Sequence, residues 1–312
     1  MILLTLLVGC GPQPTTPVEV AARPVDPDPL VVLVFGDAGR EPLEDGSLTQ
    51  AGVGAAMAQT CAAMGCDLAL MLGDNIYEDG VSEGDEALFW ERFEEPFAPL
   101  GELDIWAVLG NHDWRGLAQP QLDHSAASPR WRMPDRTYVV PGLPAWVTLA
   151  ALDTQAVSAW PRDATTRAML DDTRAALCGA PGWRILFAHH PLQSSGIHSR
   201  RLEQVRLRRH IEPIVEDCGV QLVLSGHEHH QEHIVTEGYD QLVSGAASKS
   251  RPLCGDPGAH WPRCGRRGTP GQQVIDASLG YAVLTLTPER ADIVLFRAED
   301  PTTPFYTASR KP

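Results

Sequence analysis

Six side chains suited to binding metal stand just beyond short apolar runs in this sequence: Asp37, Asp74, Asn111, His189, His227 and His229. Carboxylate oxygens suit a hard cation and imidazoles a borderline one, and this set offers both. There are enough donors for two ions sharing one carboxylate. Two ions ~3.5–4 Å apart clamp an in-line displacement at phosphorus, so hydrolysis of a phosphate ester is the chemistry these residues suggest. Four of the stations open on glycine, as Gly36-Asp37, Gly73-Asp74, Gly110-Asn111-His112 and Gly226-His227, and the fifth is Ala188-His189-His190-Pro191.

The elements that must position them are legible upstream. Residues 31–35, 68–72, 105–109, 184–187 and 221–224 are apolar apart from Arg184 and Gln221, which reads as strands buried on both faces. Ligands in α/β sheets gather beyond the carboxyl ends of such strands, so the five stations predict one shared site. Val53, Met57, Cys61 and Met64 recur at helical spacing, with Gly65 as a C-terminal cap. Helices are also expected over 85–97 and 163–178, and along the face of Leu207, Ile211, Ile214 and Cys218, with Pro213 kinking the last or lying near its start. Residues 114–136 read as a long loop at the site mouth. Shorter antiparallel strands follow from Ile234 onward, and residues 248–273 read as a disulfide-pinned loop.

The chain has 312 residues, 43% of them hydrophobic, enough for a substantial core, and a formal net charge of −15. That charge gives no nucleic-acid footprint and repels anions at long range, so an anionic substrate requires a locally positive site. Residues 1–9 read as the core of an export signal. Cys10 closes a Leu7-Val8-Gly9-Cys10 segment that looks like a bacterial lipobox, against the alternative of a plain secretory signal with an incidental cysteine. Residues 10–29, with six prolines, read as a tether, and 30–312 as the folded domain. The expected location is the bacterial cell envelope, with membrane contact only through lipid on Cys10. The remaining six cysteines suit an oxidising compartment. Sequence alone does not fix their pairing; the expected pairs are Cys61 with Cys66, Cys178 with Cys218, and Cys254 with Cys264.

Taken in order, Gly36-Asp37-Ala38-Gly39, Gly73-Asp74-Asn75-Ile76-Tyr77, Gly110-Asn111-His112-Asp113, His189-His190-Pro191 and Gly226-His227-Glu228-His229 resemble the calcineurin-like metallophosphoesterases. Gly39 and Tyr77 point within them to purple acid phosphatases of the small, tartrate-resistant type 5 kind. The likeness covers nearly all of residues 31–311. It implies an α/β fold, a four-layer α/β/β/α sandwich of two mixed sheets. It implies Asp37, Tyr77 and His229 as ligands of Fe3+, Asn111, His189 and His227 as ligands of a divalent Fe, Zn or Mn, and Asp74 between them. The charges of two such ions outweigh two carboxylates and a phenolate, which leaves a cationic site in an acidic protein. A metal-held hydroxide would attack phosphorus in line, and a histidine would protonate the departing alkoxide. His112, with Asp113 beside it as an orienting partner, ranks ahead of His198 for that role.

The expected activity is hydrolysis of small phosphate monoesters by a monomer. The alternatives are a phosphodiesterase or nucleotidase of the same superfamily, and a non-catalytic surface lipoprotein. His190, His230 and His233 are expected behind the ligands or in solvent, His124, His210 and His260 at the surface, and Trp114 and Trp131 in ordinary packing.

Overall fold

A computed structural model describes residues 15–20, 29–40, 49–159, 163–257, 259–260 and 263–312. Among the described residues, fourteen strands form two sheets of seven. In chain order they are β1 (Leu30–Phe35), β2 (Leu68–Met71), β3 (Ile105–Ala107), β4 (Trp131–Arg132), β5 (Thr137–Val139), β6 (Val147–Leu152), β7 (Trp183–Ala188), β8 (Leu222–Ser225), β9 (Gln231–Val235), β10 (Asp240–Ser244), β11 (Gln272–Asp276), β12 (Gly280–Leu286), β13 (Ala291–Arg297) and β14 (Tyr306–Arg310). The first sheet runs β14-β13-β12-β1-β2-β3-β4 and the second β11-β9-β10-β8-β7-β6-β5. Each is mixed: β1, β2 and β3 pair in parallel, as do β6, β7, β8 and β10, while β12 and β9 join antiparallel.

Alternate residues of the central strands face opposite ways, and both faces are apolar. Leu30, Val32 and Val34 of β1 meet Leu149, Ile185 and Leu222 of the second sheet in the core between the sheets. Leu33 and Phe35 face outward onto Val53 and Met57 of helix α1 (Gln50–Met64). On the far side, Leu186 and Val223 pack with residues of α4 (Thr154–Ser158), α5 (Ala164–Leu177) and α6 (Leu202–Asp217). The order of layers is therefore helix, sheet, sheet, helix. Thr49 caps the start of α1, and Gly65, at φ 77°, returns its amide to Cys61 O, so this helix ends where its sequence says it should.

The three disulfides pair as expected, Cys61–Cys66, Cys178–Cys218 and Cys254–Cys264. Several expectations need correction. The helix over 85–97 is broken into one turn, α2 (Glu86–Phe89), a wider π turn over Trp90–Glu94 and a 3-10 turn over Ala98–Leu100. The stretch 114–136 is not a plain loop, since it contains α3 (Gln119–Asp123) and the edge strand β4. Pro213 lies inside α6, close to its C-terminal end. Residues 15–20 of the expected tether lie against the domain, where Val18 donates its amide to Pro134 O at 2.7 Å and Val20 packs on the core. The export signal and Cys10 fall outside the described residues. Among the described residues, no helix is long and apolar enough to cross a membrane.

Candidate metal centre

Asp37 follows β1, Asp74 follows β2, Asn111 lies beyond β3, His189 follows β7, and His227 follows β8. The turns that carry them are tied to one another across the two sheets. Asp37 N donates to Gly73 O at 3.0 Å, Gly226 N to His189 O at 3.0 Å, and Ala247 N to Gly36 O at 3.2 Å. Asp37, Asp74 and His227 have φ of 57°, 50° and 67°, the left-handed region that side chains with a Cβ rarely adopt. Strain of that kind persists only where surrounding contacts over-determine it. Here backbone amides hold the side chains: His227 N donates to Asp37 Oδ2 at 2.7 Å and His112 N to Asp74 Oδ1 at 2.8 Å.

All seven sequence candidates for metal ligation converge. Around Tyr77 OH lie Asp37 Oδ1 at 2.9 Å, Asp74 Oδ2 at 3.0 Å and His229 Nε2 at 3.3 Å. Around His189 Nε2 lie Asn111 Oδ1 at 3.1 Å, His227 Nδ1 at 3.2 Å and Asp74 Oδ1 at 3.4 Å. The two groups share Asp74, one oxygen to each. Atoms of Asp37, Asp74 and His189 all lie within 4.8 Å of one another, with these residues buried.

The donor chemistry tests whether cations belong there. His189 Nδ1 lies 2.8 Å from Leu72 O, which can only accept, so the ring proton sits on Nδ1 and Nε2 offers a lone pair. That lone pair faces a carboxylate oxygen and a second imidazole nitrogen. Tyr77 OH has a single proton for two carboxylates. An acceptor-rich cluster of this composition is satisfied by metal ions, and the residues fit a dinuclear centre.

Electrostatics agree. Burial pushes the Asp37 carboxyl up to about 6, against the pull of His189 and the Tyr77 hydrogen bond. Burial, and then repulsion by Asp37, pushes Asp74 up to about 7. The Tyr77 hydroxyl is driven well above its ordinary value by burial and the two carboxylates. Burial brings His189 down to about 4 and holds His227 and His229 well below the usual histidine range. Without cations the pocket resists negative charge on its acids and positive charge on its imidazoles.

The two candidate acids line the mouth. His112 Nδ1 lies 2.6 Å from Glu78 O, and its Nε2 lies 4.0 Å from Asp74 Oδ2. His198 lies tilted against His227 with ring centres 4.3 Å apart, its Nδ1 3.2 Å from Glu228 Oε2. Asp113 does not orient His112, contrary to expectation. Its carboxylate turns inward and accepts from the amides of Gly110, Asn75 and Ile76 and from Gln121 Nε2, which ties the Asn111 turn to the Asp74 turn. His190 brings a nitrogen into range of His189 and His227, but its Nδ1 is 2.9 Å from Thr154 Oγ1 and its Nε2 3.2 Å from Glu203 Oε1. His230 and His233 are buried rather than solvated, on Glu232 at 3.1 Å and on Asp240 at 3.1 Å. Trp131 is buried in packing, whereas Trp114 both donates to Asp153 at 3.0 Å and lines the cleft.

That cleft, about 720 Å³, opens over Asp74, Asn111, His227 and His229. Its walls include residues that no sequence pattern singled out, Arg115, Arg201, Glu203 and Arg251. None of them lies at a strand end or at metal-ligand spacing.

Two mixed sheets with their strand ends converging on carboxylates and imidazoles define a metallophosphoesterase architecture. Residues 30–231 match the family described as calcineurin-like phosphoesterase, and the chain belongs to that family, on its purple acid phosphatase side. It is 30% identical to purple acid phosphatase 17 of Arabidopsis thaliana over 70% of this chain and 68% of that protein. It is also 30% identical to purple acid phosphatase 3 of the same plant, but spans only 63% of that protein's length. With mouse tartrate-resistant acid phosphatase type 5 it shares 30% identity over 63% of this chain and 65% of that one. Among solved structures, the yellow lupin purple acid phosphatase PPD1 superposes with a TM-score of 0.69 at 14% identity, covering 93% of this chain and 55% of that one. GAP50, described as the anchor in the inner membrane complex of Plasmodium, superposes at 0.75 with 19% identity, covering 91% and 89%. The fold is thus shared with a protein described as an anchor, so function has to be argued from the site.

Proposed function

We propose that this protein hydrolyses phosphate monoesters at a dinuclear centre. Asp37, Tyr77 and His229 would hold a ferric ion, Asn111, His189 and His227 a divalent Fe, Zn or Mn, and Asp74 would bridge them. The single observation that carries this reading is the pair of donor groups meeting on the two oxygens of Asp74. Such a centre supplies a nucleophile at neutral pH and neutralises charge developing on the phosphoryl group. Everything else falls to the chain. The left-handed turns fix the donors before loading, and Asp113 fixes the turns. His189 donates its Nδ1 proton to Leu72 O, so that Nε2 stays available.

The departing alkoxide requires a proton, and both His112 and His198 line the cleft. His198 Nδ1 lies 3.2 Å from the buried Glu228 carboxylate, and His112 Nδ1 lies 2.6 Å from Glu78 O. We keep the acid on His112, the order taken from sequence, with Asp74 4.0 Å from its Nε2 and the Glu78 carboxylate 3.7 Å from its Nδ1, whereas His198 Nε2 accepts from Arg251 Nη1 at 3.2 Å. Export to an oxidising compartment accords with the three disulfides.

Two measurements on the metal-loaded enzyme test the reading. A monoester should turn over well ahead of a matched diester; the opposite order would make this a diesterase. A phenolate on ferric iron absorbs visible light, so wild type should be coloured and Tyr77→Phe should lose the band. A band unchanged in the variant removes Tyr77 from the ferric site.

A further inference from the structure

Arg251 is a cation of the cleft that belongs to neither donor group. Arg251 sits in the segment between β10 and β11, three residues before the Cys254–Cys264 disulfide. Its amide donates to His229 O at 2.9 Å, which fixes the root of the side chain against the centre. Its Nη1 lies 3.2 Å from His198 Nε2. Guanidinium only donates, so the imidazole nitrogen is the acceptor there, and the His198 proton faces Glu228.

A neutral ring nitrogen engages one donor of a five-donor fork, whereas a phosphate or carboxylate engages two in parallel. Among the described residues, no carboxylate stands within ion-pair distance of Arg251. The other cleft arginines differ. Arg115 has Asp79 at 3.4 Å, and Arg201 is exposed at the rim, its amide donating to His198 O at 2.9 Å. Lys249, two residues upstream, is held below its ordinary value by burial and then by Arg40 and Arg251. Positive charge thus gathers around Arg251 in a chain of net charge −15, and an anion at Arg251 would offset it.

We propose that Arg251 is the specificity-determining residue of a second anion subsite, so that preferred substrates are phosphate monoesters carrying another carboxylate or phosphate near the scissile ester. A cleft of this volume suits a small phosphorylated metabolite. The inference rests on the monoesterase reading for its substrate class, but its geometry is independent of turnover.

The test has a binding arm and a turnover arm, both on the metal-loaded protein. In calorimetry, phosphonoacetate and methylenediphosphonate should bind at least about tenfold tighter than methylphosphonate, and Arg251→Gln should remove most of that preference, with Arg251→Lys between. The two bidentate probes distinguish carboxylate from phosphate as the second group. In turnover, 3-phosphoglycerate should exceed glycerol 3-phosphate in kcat/KM by a similar factor, mainly through KM, and the ratio should collapse in Arg251→Gln. Thermal melting verifies that the variants fold. Equal affinity of the three phosphonates in wild type, or a preference unchanged in Arg251→Gln, overturns the subsite. If the preference for the probes with two anionic groups depends on Arg251 yet neither ester is hydrolysed, the subsite stands and the monoesterase reading fails.

Discussion

At His189 the protonated nitrogen points away from the cluster and the bare one into it, and the same division of labour recurs around the centre. Asp113 holds amides, Asp74 holds the two donor groups together, and Tyr77 lies between carboxylates that cannot both receive its proton. This predicts a proton inventory. In the metal-free protein Asp37 and Asp74 lose their protons only near pH 6 and pH 7, and Tyr77 keeps its own well beyond that. Cations displace those protons, so affinity should rise with pH, and loading at pH 6 should release more protons than loading at pH 8. Calorimetry in buffers of different ionisation enthalpy reads the number directly; release that does not change between those pH values would contradict the assignment. The donors were legible because each follows a buried strand at the chain's own punctuation. Asp113 was misread because neighbours on a tight 3-10 turn point opposite ways, and sequence adjacency to His112 carried no geometry. His124, expected at the surface, instead stacks on Phe89 at 4.0 Å and meets Glu94 at 2.9 Å. Arg251 and Glu228 were passed over since their importance comes only from what the fold sets beside His198.

Elements bring backbones closer here than side chains allow. Gly110, at the end of the third-strand station, would place a Cβ 2.2 Å from both Asp74 N and Asp74 Oδ1, and Gly73 adopts φ 84° where the chain leaves β2. Gly110→Ala should therefore cost roughly 2–4 kcal/mol of stability and displace Asp74, so that metal affinity falls along with the melting temperature. A variant that melts lower but binds both metals normally would show that the turn has room to adjust. The Cys178–Cys218 bridge joins the ends of α5 and α6 across 40 residues, and its loss, in a Cys178→Ala, Cys218→Ala double variant, should lower stability by up to roughly 4 kcal/mol by chain entropy. Denaturant titration measures this; an unchanged midpoint would mean that helix packing alone fixes α5 against α6. Buried strands and the capped α1 were readable because period and caps agreed. The π turn over Trp90–Glu94 was not, since the same apolar residues serve an α-helix equally well. Two-residue β4 lies below the length at which periodicity says anything.

Across the molecule, the two sheets close on a shared core, and their strand ends bring residues 37 and 229 into one site. That convergence was predictable from strand ends and donor types; the positive charge gathered around Arg251 was not, because an overall charge of −15 hides a local excess of the opposite sign. Binding two ions to the folded state alone should also stabilise it, by about 2.7 kcal/mol per ion held at a hundredfold excess over its dissociation constant. All of this depends on Asp74 serving both donor groups. The most direct measurement is metal content per chain, taken with monoester turnover, in wild type and Asp74→Asn. Two metals with activity in wild type, and loss of both metal and turnover in the variant, is the predicted result. Two metals and undiminished turnover in Asp74→Asn would contradict it.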